Sequence, residues 1–320
     1  MKPNANPIVI GIIAGLVAAI GTLGSLSMPL FAQVLAMAAL FMAGLGYGRV
    51  AGLVAVGTAA VALGVYTSSP FATVIFALTL LPAAVMSQLA LLARPATEIG
   101  GPDQALAWYP LADIMLVGAV ITAFATITLL LLQPVDALYA AVIDRAIEMI
   151  GQASPGTAVT PEQRAEILSM LKVFGPVSQS FGNMLMLFAG FYFAMLILAA
   201  MKRNVRPRED IRVALRMGRA SIAVFFLGVL LMFVGGTAGV VGASFAGATG
   251  AGFTLAGFAV IHNALRDKAY ALPALVLVYL ITFLVPPVVL IVALAGGLAN
   301  PRRAIALTPN KPNETTETPN

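Results

Sequence analysis

Few side chains in this sequence could carry chemistry, and most of them lie in or beside long apolar stretches. Asp113 follows Trp108-Tyr109-Pro110, and Gln88, Gln179 and Asn183 lie within or near apolar segments. A polar group at membrane depth is a candidate functional residue by default. We therefore take Asn183, Gln179, Asp113 and Gln88 as candidate ligand-binding residues.

Each of these residues also has a structural explanation. Pro110 suits the first turn of a helix, and a carboxylate at Asp113 in that turn interacts favourably with the helix dipole. The amides can form hydrogen bonds between neighbouring helices. Only convergence on one cavity makes a ligand site of them, so both interpretations stay open.

Cysteine and histidine usage restricts the remaining chemistry. The chain has no cysteine, and His262 is its single histidine. Disulfides, thiolate nucleophiles and multi-histidine metal sites are therefore excluded. A pH-sensing His262 is the alternative to a solvated interfacial residue. Phosphate loops, metalloprotease helices and nucleophile elbows do not occur, so we expect no cofactor, no metal and no enzymatic activity.

The densest charge cluster is a basic segment over residues 202–219. Lysines and arginines on the cytoplasmic side of membrane proteins explain it without further function. Binding of anionic lipid headgroups is a natural addition, and a protein partner is a third option. The candidate lipid or partner contacts are Lys202, Arg203, Arg206, Arg208, Arg212, Arg216 and Arg219.

Composition places all of these residues in a membrane protein. Hydrophobic residues make up 60% of the 320, and charged residues only 10%. Soluble domains carry about 25% charged residues, so this chain has too few charges to cover a water-exposed surface. The charged residues behind the net charge of +5 lie in loops beside apolar segments. The chain has no basic face interleaved with aromatic residues, so we expect no nucleic-acid binding.

The apolar segments predict transmembrane helices, because a bilayer core needs about 20 apolar residues in helix. Barrel strands would alternate in polarity, and these runs do not. We predict an all-α, polytopic transmembrane helical bundle of eight or nine spans within 1–298. The spans are placed at 7–25, 29–47, 51–66, 71–92, 110–132, 177–201, two within 220–265 with a glycine-rich turn at 235–250, and 271–298, broken at Pro286-Pro287.

The distribution of lysine and arginine orients the bundle. With the N-terminus inside, Arg49, Arg94, segment 202–219 and Arg266 all fall on the cytoplasmic side of a bacterial inner membrane. A ninth crossing would place Arg302, Arg303 and Lys311 outside, against the rule. The side of the C-terminus is therefore left open.

Two segments lie outside the spans. Segment 133–176 has apolar residues at helical spacing and a second helix start at Thr160-Pro161, which predicts an extra-cytoplasmic pair of amphipathic helices. This pair either packs on the surface or covers a cavity. The tail 299–320 is rich in proline and threonine from Thr308 onward, so we expect it to be disordered.

Short motifs resemble one family over nearly the whole chain. They are Leu91-Leu92-Ala93-Arg94-Pro95 with Trp108-Tyr109-Pro110, the glycine-rich 43–48, the run 257–262 that ends in His262, and Tyr279 before the broken helix. These are similar to the YybS-like bacterial membrane proteins, the domain of unknown function 2232. The resemblance implies a membrane location and no established activity.

A looser likeness concerns the substrate-binding S components of energy-coupling-factor vitamin transporters. The turn at Gly44–Gly48 is similar to theirs, and Ala14-xxx-Ala18 would match the face that docks their coupling subunit. The chain has more spans than the usual six, and the outer helical pair is extra. No ligand residue carries over from this likeness.

Two functions follow as hypotheses. The first is a transporter-type protein or substrate-capture subunit for a small metabolite, working with other membrane subunits. The second is a scaffold or envelope-assembly protein that binds lipid or a protein partner through segment 202–219. A polar cavity near mid-membrane with Asn183 or Gln179 pointing inward would favour the first, and a filled apolar core would favour the second.

Overall fold

The computed structural model describes residues 6–24, 29–132, 135–153, 159–203, 205–207, 209–299 and 305–309. The helices are α1 (Pro7–Gly24), α2 (Pro29–Tyr47), α3 (Arg49–Tyr66), α4 (Pro70–Ala90), α5 (Leu111–Leu132), α6 (Val135–Ala153), α7 (Pro161–Ala200), α8 (Ile211–Ala214), α9 (Arg219–Met232), α10 (Gly236–Ala264), α11 (Ala271–Leu284) and α12 (Val288–Leu298). Three short strands accompany them: β1 (Ala93–Pro95), β2 (Ala105–Trp108) and β3 (Leu307–Pro309).

Long apolar helices dominate the part of the chain that the structure describes. Six of them, α1, α3, α4, α5, α7 and α10, are long and apolar enough to cross a bilayer. Four shorter apolar helices lie in α2, α9, α11 and α12. The all-α membrane bundle is confirmed at this level, while the exact number of crossings stays a prediction.

The chain divides into two compact units. The first comprises 1–118, 186–218 and 253–320, and the second comprises 119–185 and 219–252. Helices α5, α7 and α10 contribute residues to both. The single domain predicted over 1–298 thus has an internal division that composition did not indicate.

In the first unit, small residues let α1 lie close to α3. A Cβ placed on Gly15 would stand 2.5 Å from the carbonyl oxygen of Ala55, and one on Gly11 would stand 2.8 Å from that of Ala51. Ala18 is fully buried on the same helix. The face that the transporter likeness assigned to a coupling subunit is therefore used, for the most part, inside the chain itself.

In the second unit, α6 and the start of α7 are the two helices predicted for segment 133–176, and their extra-cytoplasmic side stays a prediction. Thr160 caps α7: the backbone N–H of Gln163 donates to its hydroxyl, and the Thr160 N–H donates to the Gln163 side chain at 2.9 Å. This reciprocal capping follows from the Thr160–Gln163 spacing. Arg164 also pairs with Asp144 on α6 at 2.7 Å.

The predicted boundary at Pro176 is wrong. The second outer helix and the predicted span from 177 are one helix, α7, of 40 residues. At 1.5 Å per residue this helix is about 60 Å long, twice a bilayer core. A proline costs one backbone hydrogen bond, but it does not have to end a helix whose residues on both sides are strongly helical.

The glycine-rich stretch turns only at its beginning. Gly235, between α9 and α10, and Gly236, the first residue of α10, have φ values of 74° and 55°. Such values favour glycine because it has no Cβ. The later glycines lie within α10, where Gly242 meets the carbonyl oxygen of Gly228 on α9. They permit close helix packing and do not form a turn.

The last apolar segment is broken as predicted. Helix α11 ends at Leu284 and α12 begins at Val288, on either side of Pro286-Pro287. Gly257 on α10 and Gly296 on α12 allow these two helices to touch through backbone atoms, since a Cβ at Gly257 would stand 1.9 Å from the carbonyl oxygen of Val292.

The three strands form one antiparallel sheet in the order β1-β2-β3. Ala93 pairs with Trp108, and Leu307 pairs with Ala107. The indole N–H of Trp108 donates to the hydroxyl of Thr308 at 2.9 Å. Residues 305–309 are thus ordered against the loop between α4 and α5, contrary to the predicted disorder there. The rest of the tail, 310–320, lies outside the described residues.

Candidate binding pocket beneath the basic segment

A pocket of about 840 Å³ lies in the first unit. Its apolar wall comes from α7 and α10, and its polar wall comes from the basic segment. The lining residues are Leu111, Phe188, Phe191, Tyr192, Met195, Leu196, Arg206, Pro207, Glu209, Asp210, Ile211, Arg212, Leu215, Leu255, Phe258, Ala259, His262 and Tyr279. Aromatic surface with a few polar groups is typical of a small-molecule site.

Arg206 joins two loops at the polar wall. Its guanidinium donates to the carbonyl oxygens of Tyr109 at 2.8 Å and of Ala90 at 3.3 Å. It also forms an ion pair with Glu209. The side chain is only 3% exposed, so it holds the basic segment against the loop between α4 and α5. As a surface contact for lipid, Arg206 is a wrong prediction, because its donors are turned inward.

Glu209 is the acidic partner in this wall. One carboxylate oxygen takes the Arg206 hydrogen bond. The other, Oε2, is buried and has no hydrogen-bond partner among the described residues. Buried carboxylate oxygens normally accept hydrogen bonds, because desolvation without a partner is costly.

Asp210 is the centre of a second, more exposed network. It accepts a hydrogen bond from Arg212 at 3.0 Å and another, at 3.3 Å, from Arg266 in the loop after α10. The hydrogen bond from Arg212 holds the pKa of Asp210 below its ordinary value, with charge attraction from Arg212 and Arg266 adding to it. Asp210 also caps the short helix α8 through the Arg212 N–H.

His262 and Tyr279 also line the pocket. The Nδ1 of His262 lies 2.8 Å from the carbonyl oxygen of Phe258, one turn earlier in α10. Since a carbonyl only accepts, Nδ1 carries the hydrogen there and Nε2 is the acceptor. The Tyr279 ring stacks on Phe258 at 4.7 Å and meets the His262 ring edge-on at 5.8 Å.

The other basic residues take several environments. The Arg203 guanidinium lies 4.8 Å from the centre of the Tyr47 ring, a cation–π distance. Arg216 donates to the carbonyl oxygens of Arg212 and Leu215, and burial lowers the pKa of its guanidinium. Lys202 and Arg219 are exposed. Arg208 lies outside the described residues. For the exposed ones, a lipid or partner contact stays a prediction.

The four candidate ligand residues are not among those that line this pocket. Asn183 is exposed on α7, and Gln179 is half-buried on the same helix. Asp113 lies in the first turn of α5, as its structural explanation predicted. Gln88 is half-buried on α4, and its Oε1 has no hydrogen-bond partner among the described residues. Their binding role stays a prediction.

Sequence reasoning missed the acidic half of the pocket. Glu209 and Asp210 follow Arg206-Pro207-Arg208 directly. Two acids inside a basic cluster are the signal, because a purely topological cluster needs no acidic residues. The pocket's aromatic residues gave no such signal, since aromatic residues in apolar helices usually only pack.

Comparison with known proteins identifies the family. No curated protein and no solved structure matches this chain. A family model described as "Predicted membrane protein (DUF2232)" matches residues 8–298. That match runs from the first turn of α1 to the end of α12 and confirms the resemblance seen in the sequence motifs. The chain belongs to the DUF2232 family of predicted membrane proteins.

Proposed function

We propose that this protein is a non-catalytic, multi-pass protein of a bacterial inner membrane, and that it binds a small amphipathic molecule from the cytoplasmic side. The observation that carries the proposal is the pocket itself. Phe188, Phe191 and Phe258 offer apolar surface, and Glu209 and Asp210 lie at its polar wall. A molecule with an apolar body and a polar end matches both walls.

The position of the pocket favours this function over a mid-membrane transport cavity. Its polar wall is segment 206–215, which the lysine and arginine distribution assigns to the cytoplasm. The amides Asn183 and Gln179, which a transport cavity would turn inward, do not line it. The binding function resembles the lipid-binding scaffold hypothesis, with a pocket in place of a charged surface.

A substrate-capture subunit is the second candidate, and one feature favours it. Tyr279 lies on α11, which is separated from α12 by Pro286-Pro287. Broken helices beside a binding site are characteristic of transporters, because the ends of the half-helices offer backbone groups to the substrate. Both candidates share the binding step, so binding is the property to test first.

The test uses the purified protein in phosphatidylcholine nanodiscs, titrated with n-decylamine, n-decanol and n-decanoate. Trp108 is the chain's single tryptophan and lies three residues before the pocket residue Leu111. Its fluorescence therefore reports binding without a label. We expect saturable binding of at least one probe, and molecules that co-purify with the protein should be displaced by it.

A matched pair of variants locates the binding. Phe188→Ala removes a pocket wall, and should weaken binding by roughly tenfold or more for the lost apolar contact. Phe226→Ala removes an equal side chain that is 60% exposed on α9, and should leave binding unchanged. Absence of saturable binding for all three probes, or equal effects of the two variants, would rule out the pocket as the site.

A further inference from the structure

We propose that the pocket is selective for a primary ammonium group carried on an apolar body, with Glu209 as its principal hydrogen-bond acceptor. This inference rests on the proposed binding function and names the chemical class of its ligand. Two sources carry such a group: an aminophospholipid headgroup and a free alkyl or aryl amine.

The cationic groups at the polar wall are already engaged. Arg206 donates to two carbonyl oxygens and to Glu209. Arg212 points both its Nε and one Nη at the carboxylate of Asp210. An anionic ligand would have to compete with these carboxylates for the guanidinium groups, so the wall is poorly prepared for an anion.

The acceptors are less fully used. Glu209 Oε2 is buried with no hydrogen-bond partner among the described residues. Glu209 is itself one of the residues that line the pocket, so a ligand there can approach its carboxylate while Oε1 stays paired with Arg206. A ligand N–H that reaches it would remove the cost of a desolvated, unpaired carboxylate oxygen.

His262 adds a second acceptor to the pocket lining. Because its Nδ1 donates to the Phe258 carbonyl, its Nε2 accepts in the neutral imidazole. A primary ammonium has three N–H donors, more than either of the other polar headgroups offers. A hydroxyl has one donor, and a quaternary ammonium has none.

The rings of the wall favour the same ligand. Tyr192, Phe191, Phe258 and Tyr279 all line the pocket. Aromatic faces attract cations through their quadrupole, and the attraction grows where water is excluded. The combination of an unpaired carboxylate oxygen, an imidazole and aromatic faces therefore favours an ammonium with N–H donors.

The experiment compares four ten-carbon probes of different headgroup in phosphatidylcholine nanodiscs, read by Trp108 fluorescence. They are n-decylamine, n-decyltrimethylammonium, n-decanol and n-decanoate. We expect n-decylamine to bind roughly tenfold more tightly than n-decanol, the size of one charge-assisted hydrogen bond. The quaternary ammonium should bind less tightly than the amine because it lacks N–H donors.

Variants test the acceptors. Glu209→Gln should reduce the preference for n-decylamine over n-decanol, and Glu148→Gln, a control at an exposed carboxylate, should not. His262→Phe keeps a ring beside Tyr279 and removes the acceptor, so it should reduce the preference partially. If Glu209→Gln fails to fold, His262→Phe and the probe ranking decide the question.

The outcomes separate this inference from the function beneath it. Equal binding of all four probes overturns the ammonium selectivity and leaves the amphiphile pocket standing, whereas no binding at all overturns both. A quaternary probe that equals n-decylamine also overturns it, because N–H donation is then irrelevant. Nanodiscs with added phosphatidylethanolamine distinguish the sources: competition supports a lipid amine, and its absence supports a free amine.

Discussion

At the scale of single residues, the arginines of the basic segment have different roles that their shared charge conceals. Arg206 is buried and bonded to the loop between α4 and α5, whereas Arg219 is exposed at the start of α9. Burial of a charge is tolerated only with full pairing. The same residue type therefore serves structure at one position and is available to solvent or lipid at the other.

Replacing Arg206 tests this division. Arg206→Ala should destabilise the protein by about 3–5 kcal/mol, because it leaves Glu209 as an uncompensated, largely buried charge. Thermal unfolding in one detergent, followed by Trp108 fluorescence, measures the change. The control Arg219→Ala should stay within about 0.5 kcal/mol of the parent protein. Similar effects of the two replacements would contradict the structural role of Arg206.

The lowered pKa of Asp210 predicts that the stability of the protein depends on pH. Its pKa is held below the ordinary 3.8 by Arg212, so the folded state binds its proton less readily than the unfolded state. The stabilisation is fully present above 3.8 and is lost as the pH falls through the lower folded value. The effect should be small, because both partners are partly exposed.

The measurement compares the parent protein with Asp210→Asn by thermal unfolding. The parent should be the more stable at pH 7, and the difference should disappear on acidification below 3.8. Arg212→Gln should show the same convergence. A difference that persists unchanged at low pH would mean that Asp210 stabilises the loop through its shape and not through its charge.

At the scale of elements, glycine and alanine decide how closely the helices approach. In the first unit α1 lies against α3 at Gly11 and Gly15. By contrast, a Cβ at Gly57 on α3 would meet no atom within 4 Å. Composition does not distinguish these glycines. A glycine is required only where a partner helix comes too close for a Cβ, as α3 does at Gly11 and Gly15.

Two alanine replacements make the comparison. Gly15→Ala would place a Cβ 2.5 Å from the Ala55 carbonyl oxygen and 2.6 Å from the Thr58 side chain, and overpacking of this kind costs about 1–3 kcal/mol. Gly57→Ala should be neutral or stabilising by up to about 1 kcal/mol, because alanine is the better helix former. Thermal unfolding of both variants checks the sign, and equal loss of stability in the two would refute the close packing of α1 on α3.

At the scale of the whole molecule, contacts at its two ends hold the segment that contains α11 and α12. Strand β3 pairs with β2, and Arg206 binds the Tyr109 carbonyl just after β2. Arg266, just before α11, pairs with Asp210 of the same basic segment. Both ends of the segment that contains α11 and α12 are therefore tied to one side of the first unit.

This arrangement favours one answer to the question that the basic residues of the tail left open. A segment that starts and finishes on one side does not make a single crossing. Neither α11, with 14 residues, nor α12, with 11, reaches the about 20 residues that a crossing needs. We therefore expect residues 305–309 to lie on the same side of the membrane as Arg94 and the basic segment, as the positive-inside rule requires.

Cysteine labelling tests this placement, and the absence of native cysteine removes any background. Ile305→Cys and Lys268→Cys should react with an impermeant maleimide from one side of the membrane. Ser68→Cys, at the opposite end of α4 about 31 Å away, should react from the other side. Labelling of Ile305→Cys together with Ser68→Cys would contradict the pairing of β3 with β2.

Local patterns predicted most of the elements. The length of the apolar runs predicted the helices, and the spacing of Thr160 and Gln163 predicted the start of α7. Pro286-Pro287 predicted the break between α11 and α12. Pro176 misled the prediction, because a proline marks a boundary only if the residues around it do not continue the helix. Strand β3 was missed, because three residues of a polar tail have no strand pattern of their own.

The sequence by itself determined that lipid surrounds this chain, because its few charges cannot cover a water-exposed surface. It also determined the family, through motifs spread along the whole length. Only the tertiary structure decided where a ligand could bind. The pocket joins Glu209, His262 and Tyr279 from distant segments, and such convergence depends on how the helices pack, which side-chain periodicity does not encode.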